Sequence, residues 1–376
     1  MNNNWNGIFG QQTVLEILDK LIASNNIPHA FLFTGINGIG KEYTAVKFTS
    51  ALNETNIPDS KNLDKIISSF AEPYIKYIYP LPRGKNETDD NGPFEKLPLD
   101  DLESIQEELQ KKINNPYYKL SIEKAYKIKV NSIRDIKKFL SMNYSDIKFR
   151  TVLISDAHLM NEESQNALLK NLEEPPEGVI FILVTPYPGL LRETIRSRCW
   201  NLNFKPLNNY DLKKILIQFY SIEEELAESV APFSSGSVTN ALNLIENDFN
   251  FLLEKTIAIL RYSFARKYHS AMDEISYYLK EDSANLLKIL IQMIIIWLND
   301  IQKYRIGNKS FFFDKYKETI EKFNSKFPAI DLNDTVAKLD YLGSIIQNNV
   351  NLNLIAVNII FELSSLVDKR VRFQVT

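Results

Sequence analysis

The stretch "HAFLFTGINGIGKEYTA", His29–Ala45, decides how this chain is read. "AFLF" is a short apolar run of the kind a sheet buries on both faces, and "EYTAVKFTSAL" beyond it has helical spacing. Between them, Gly35-Ile36-Asn37-Gly38-Ile39-Gly40-Lys41 fits Gly-x-x-x-x-Gly-Lys, a loop whose backbone N–H groups and lysine cradle phosphate. The pattern then expects Ser or Thr, whose hydroxyl holds magnesium, but Glu42 stands there instead. Two unit charges ~4 Å apart interact by about 1 kcal/mol in water and about 4 at an effective dielectric of 20, so a carboxylate here weakens a phosphate site unless a metal bridges the charges. Thr44 is a poor substitute, because two residues along a helix point about 200° apart. Lys41 either still meets a phosphate or pairs with Glu42.

Upstream, Val14, Leu15, Leu18, Leu21 and Ile22 repeat at helical spacing. Downstream, order weakens from Asn53 to about Leu120. Within it, Pro80–Asp101 carries four prolines and two glycines and reads as an exposed, mobile loop, with "LESIQEELQKKI" beside it as a surface helix. "AYKIKV" then reads as a strand, "SIRDIKKFLSM" as an amphipathic helix, and "RTVLIS" and "VIFILVT" as buried strands. In the helix between the last two, Asn161 is the expected N-cap, Glu162 and Glu163 occupy the first turn, and Pro175-Pro176 lies past the end. Apolar strands alternating with helices predict a parallel sheet covered on both faces. From Tyr210 to about Leu366 the pattern is helical only, including the apolar "LLKILIQMIIIWL" (Leu286–Leu298), which is too short to span a bilayer and reads as a buried helix.

The totals set limits. A length of 376 residues allows two or three domains, and 44% hydrophobic with 24% charged residues fits a globular protein. A net charge of −3 means that any nucleic-acid contact must come from a local basic face. "SIRDIKKF" (Arg134, Lys137, Lys138) and "IKFR" (Lys148, Arg150) are the candidates, each also readable as a solvated face. The single cysteine, Cys199, excludes an internal disulfide, and no export signal is visible, so the cytoplasm is the expected location.

A working phosphate site needs an Asp at the end of the second strand and a Glu after it; here stand Ser155 and Asp156, then Ala157 and His158. In one register both carboxylate positions have changed; in the other Asp156 is the metal residue and Ala157 replaces the base. His158 reads as a packing or hydrogen-bonding residue. Thr185, ending the next strand, is placed to sense a phosphate. "TIRSRCW" follows, with Arg192, Arg196 and Arg198 crowded together: either a basic turn or a guanidinium that reaches a phosphate in a neighbouring subunit.

"HAFLFTGINGIGK", "RTVLISDAHLMNEESQNALLKNLEEPPEGVIFILVT" and "TIRSRC", in this order, resemble the clamp-loader subfamily of the AAA+ ATPases, and within it the delta-prime type of subunit of bacterial DNA polymerase III. The resemblance is clear over residues 7–45 and 125–245. It implies an α/β P-loop AAA+ core over 1–206, with a variable, mobile insertion at about 53–120, a helical lid over 207–248 and an all-α oligomerisation collar over 249–376. Such subunits assemble into a five-membered open ring that loads the sliding clamp onto primed DNA.

By this resemblance Arg198 is an arginine finger acting in trans, and Gly35, Gly38, Gly40, Lys41, Glu42, Ser155, Asp156 and Thr185 form a degenerate nucleotide site. The lid motif Gly-Ser-x-Arg appears as Gly236-Ser237-Val238-Thr239, and the four-cysteine zinc module of many relatives is missing. The expectation is therefore a non-hydrolysing delta-prime-like subunit that needs no cofactor, holds ATP weakly if at all, and binds no zinc. Its expected partners are gamma/tau-like motor and delta-like subunits, the clamp and primed DNA, with no membrane. The alternative is an active gamma/tau-like motor in which Glu42 or Asp156 supplies the magnesium oxygen. A small-molecule phosphotransferase is the third reading, against which the helical C-terminal third and "TIRSRC" argue.

Overall fold

The computed structural model describes residues 3–54, 60–142, 147–280, 283–346 and 350–367. Residues 55–59 of the 53–120 segment and 368–376 of the expected collar lie outside the described residues.

Five described strands form one parallel sheet: β1 (Ala30–Thr34), β2 (Ile75–Ile78), β3 (Arg150–Ile154), β4 (Val179–Thr185) and β5 (Trp200–Asn203), in the order β2-β3-β4-β1-β5. Every residue of β1 and β4 is buried, the signature of central strands covered on both faces. Thr34 pairs with Thr185 and Ile154 with Leu183, so β3, β4 and β1 end side by side at one edge of the sheet. The helices of this half are α1 (Gln12–Ser24), α2 (Lys41–Asn53), α3 (Ser60–Ser68), α4 (Leu99–Asn114), α5 (Val130–Arg134), α6 (Ile136–Ser141), α7 (Glu162–Glu173), α8 (Glu193–Arg196) and α9 (Asn209–Tyr220). The core joins Leu32, Val152, Ile154, Phe181 and Leu183 to Leu168 and Leu172 of α7. Phe48 of α2 stands edge-on to Phe31 at 5.5 Å.

The structure departs from the sequence reading in the middle of this half. "AYKIKV" is not a sheet strand. Ile128 and Val130 are buried, as the alternation requires, but Ile128 makes only an isolated bridge to Met160 before α5 begins. The sheet takes its edge strand from "IKYI", inside the 53–120 segment, because an edge strand needs only one ladder. "SIRDIKKFLSM" divides at Asp135 into α5 and α6, and Asp135 pairs with Lys76 of β2 at 2.7 Å. Pro80–Asp101, expected to be an exposed loop, is packed instead: Leu81 and Leu97 join Tyr79 and Ile105 in a satellite core. The buried Glu87 carboxylate accepts hydrogen bonds from the Gly84 N–H and Asn131, each at 2.7 Å, and pairs with Lys129 at 2.9 Å.

Contacts divide the chain into two compact units, one of Met1–Ala227 with Ser235–Asn240, the other of Glu228–Ser234 with Ala241–Thr376. Helices α10 (Glu224–Val230) and α11 (Val238–Glu246) run across this division. The second unit is helical: α12 (Phe249–Phe264), α13 (Tyr268–Ile275), α14 (Ser283–Arg305), α15 (Lys317–Lys326), α16 (Asn333–Ile345) and α17 (Leu352–Leu366). Helix α14 is long and apolar enough to cross a membrane by length and composition, yet most of it is buried as the unit's core. Its Leu287, Leu290, Ile294, Trp297 and Leu298 are fully enclosed, with Trp297 against Phe264 and Phe323.

Candidate functional site: the glycine loop at the sheet edge

The loop from Gly35 to Gly40 links β1 to α2 at the edge where β3, β4 and β1 end. Gly35, Gly38 and Gly40 have φ of +131°, +69° and +87°, conformations that only glycine adopts freely. A Cβ on Gly38 would also fall 2.5 Å from the Thr239 amide nitrogen, because the start of α11 lies over the loop. There the Val238 N–H donates to the Gly38 carbonyl at 3.0 Å and Ser237 Oγ donates to the Asn37 carbonyl at 2.9 Å. Lys41 is 6% exposed and curls back: its Nζ donates to the Gly35 carbonyl at 2.7 Å and also to the Ile36 carbonyl. Burial lowers its pKa to about 8, and nearby Lys119 adds to this while Glu42 and Asp156 oppose it.

Glu42 does not pair with Lys41. Its Oε2 meets Lys112 Nζ at 2.8 Å and accepts from Tyr77 at 3.1 Å, while its Oε1 accepts from Ser155 Oγ. Burial disfavours the charged form, yet Lys112 and the hydrogen bonds of Ser155 and Tyr77 outweigh it and hold the carboxyl below its usual range. Glu42 and Ser155 thus come together, as one buried polar cluster. Lys112, 5% exposed, also donates to the carbonyls of Pro116 at 3.0 Å and Tyr118 at 2.6 Å, so its three N–H donors are all used.

Asp156 follows Ser155 in a left-handed conformation, φ +47°, and lines the same cleft as Gly38–Tyr43. Thr185 is fully buried and belongs to a different network: its Oγ1 lies 3.1 Å from His158 Nδ1 and accepts the Tyr187 N–H at 3.0 Å. Burial, with Lys119 and Lys41 nearby, lowers the His158 pKa, which favours the neutral ring. The cleft holds only about 50 Å³ and is also lined by Lys112 and Pro116–Lys119. Ligand pockets for small molecules run to several hundred Å³, so the cleft in this arrangement has no room for a nucleotide.

The profile of the family described as "DNA polymerase III, delta subunit" matches residues 10–208, more than half of the chain. The chain belongs to this family of clamp-loader subunits. It is 28% identical to the DNA polymerase III subunit gamma of Buchnera aphidicola subsp. Schizaphis graminum over 64% of this chain and 57% of that protein. It is 26% identical to subunit tau of Bacillus subtilis over 65% of this chain and 37% of that one. A third relative, subunit gamma of Buchnera aphidicola subsp. Acyrthosiphon pisum, is 28% identical over 86% of each chain. The chain thus spans 57% and 37% of the length of the first two. Among solved structures, a gamma subunit-related protein of Thermotoga maritima covers 94% of this chain and 99% of its own, with 16% identity and a TM-score of 0.41.

These relatives correct the expectation of a non-hydrolysing delta-prime-like subunit. The similarity runs to gamma and tau subunits, the motor type by the sequence reading.

Whether magnesium fits this clamp-loader site turns on Glu42. Its oxygens are engaged by an ammonium and two hydroxyls, and a cation 2.8 Å from the candidate ligand oxygen repels a second one. The metal does not fit beside Glu42 in this arrangement. The loop itself suits a phosphate, with glycine geometry, the N-terminus of α2 and Lys41 converging.

Arg198, 35% exposed at its side chain, pairs with Glu173 at the end of α7 at 2.9 Å and donates to the Thr194 carbonyl at 2.9 Å. Arg192 bonds Asn166 at 2.6 Å and pairs with Glu162, while Arg196 is exposed. Cys199 packs against the sheet core, and burial pushes its thiol up to about 12. Of the basic clusters, Arg150 is committed to the carbonyls of Phe139 and Met142 and Arg134 pairs with Glu163, whereas Lys137 and Lys138 are exposed.

Lys112, Tyr117 and Tyr77 were not legible as site residues. Helix α4 is the expected surface helix with one face packed inward, at Ile105, Glu108 and Lys112, and two charged residues on that face hide it in the sequence.

Proposed function

We propose that this chain is a gamma/tau-type subunit of a DNA polymerase III clamp loader that takes a nucleoside triphosphate at the loop between β1 and α2. The observation that carries this reading is the loop itself. Its three glycines keep positive φ, and Lys41, the first residue of α2, folds its ammonium onto the Gly35 carbonyl of the same loop, at the edge where three parallel strands end. Gly35, Gly38, Gly40 and Lys41 would receive the phosphates, and the pair of Glu42 with Lys112 must open before Glu42 or Asp156 can serve a metal. Other clamp-loader subunits, a sliding clamp and primed DNA are the partners proposed, with the helical residues 249–376 as the collar. Arg198 is proposed to reach the nucleotide of an adjacent subunit, a role that a planar, permanently charged guanidinium suits.

The test is ATP turnover and nucleotide binding by the purified chain, alone and with partner subunits and primed DNA. Turnover that Lys41→Ala abolishes is the expected result. Absence of both binding and turnover in every one of these settings overturns the reading.

A further inference from the structure

Part of the cleft's lining comes from Lys112 and Pro116–Lys119, a run that includes Tyr117. Tyr117 is 5% exposed and lies on Gly40, where an added Cβ would come 3.1 Å from the ring. It stands edge-on to Tyr43 at 5.6 Å and packs against Phe219 at 5.0 Å. Its hydroxyl accepts the Phe9 N–H at 3.2 Å and donates to the Gly7 carbonyl at 3.1 Å. Burial raises the phenol pKa, which keeps that donor in place. An adenine offers a similar combination at its pairing edge, an amino donor next to a ring-nitrogen acceptor, and is likewise held among aromatic side chains, though by stacking where Tyr117 meets Tyr43 edge-on. Five residues earlier, Lys112 places a positive charge beside Glu42 at the first turn of α2.

We infer that Lys112–Lys119 is an internal plug that keeps the place of a purine nucleotide, with the Tyr117 ring in the base slot and the Lys112 ammonium beside Glu42. The inference rests on the nucleotide reading above and adds how that site is controlled. Nucleotide and plug compete, because both use the Gly7 and Phe9 backbone groups and the face of Gly40. Tyr117 meets the loop at Gly40, and a phosphate chain lacking a base makes no claim on the Gly7 and Phe9 backbone groups, so it escapes most of this competition.

Calorimetric titration of the full chain with a non-hydrolysable ATP analogue and, separately, with inorganic tripolyphosphate tests this. Tyr117→Ala is expected to bind the ATP analogue at least about tenfold more tightly than the unaltered protein, with tripolyphosphate affinity changed by less than about twofold. Tyr117→Phe keeps the ring and loses both hydrogen bonds, so it carries the test if the alanine variant does not fold. It is expected to gain about two- to fivefold for the analogue. Equal analogue affinity in the unaltered and variant proteins overturns the plug and leaves the nucleotide reading standing. Equal gains for both ligands overturn the assignment of Tyr117 to the base slot. Failure of every protein to bind either ligand overturns the nucleotide reading, and the plug with it.

Discussion

Lys41 is the proposed phosphate contact of the loop, and its protonation is within reach of experiment. Burial brings its pKa from the ordinary 10.5 to about 8, so the folded state binds this proton less tightly than the unfolded chain does. The sign follows by linkage: keeping the ammonium buried costs stability fully below pH 8, and the cost is relieved as pH rises from about 8 towards 10.5. A bound polyphosphate favours the ammonium and draws the proton back. Tripolyphosphate binding is therefore expected to weaken by up to about tenfold per pH unit above pH 8, with proton uptake seen as a dependence of the binding heat on buffer. Affinity that stays flat between pH 7 and 9 would count against Lys41 as the phosphate contact. Glu42 was legible from the motif alone as a changed residue. Its partner was not, because Lys112 lies 70 positions away and only the packing of α4 brings it in.

Elements were legible where periodicity and caps agreed. β1, β3, β4 and α7 lie where their apolar runs and end signals place them, and Asn161 Oδ1 accepts the Ser164 N–H at 2.8 Å as the N-cap of α7. Asn161→Ala is expected to cost about 1 kcal/mol in urea or thermal unfolding, with the fold kept. An unchanged midpoint would show that the cap is replaced by solvent or a neighbour. β2 and "AYKIKV" exchanged roles because both are short and mixed, and such runs have no intrinsic preference strong enough to outvote tertiary pairing. The same holds for Pro80–Asp101, whose prolines and charges read as exposed, while Glu87 and Leu97 are buried by contacts that composition does not reveal.

At the scale of the whole molecule, the test falls on Arg198. Its bonds to Glu173 and Thr194 lie at a partly exposed site, and such surface pairs contribute about 0–1 kcal/mol. Arg198→Ala is thus expected to leave folding and assembly unchanged. In the assembled complex it should slow ATP hydrolysis at a neighbouring site by at least about tenfold, given that arginine fingers in GTPase systems contribute about 10³–10⁵. An unchanged rate in the complex would remove that role.

The sequence by itself determined the alternation of strands and helices in the first half, the helical second half, and the place of the glycine loop, because these depend on local periodicity and on backbone conformations that only glycine tolerates. Tertiary structure alone decided which strand closes the sheet edge, that Glu42 answers to Lys112, and that Tyr117 lies on the loop. Each of those is a contact between segments far apart in the chain, and no local pattern carries the geometry of such a meeting.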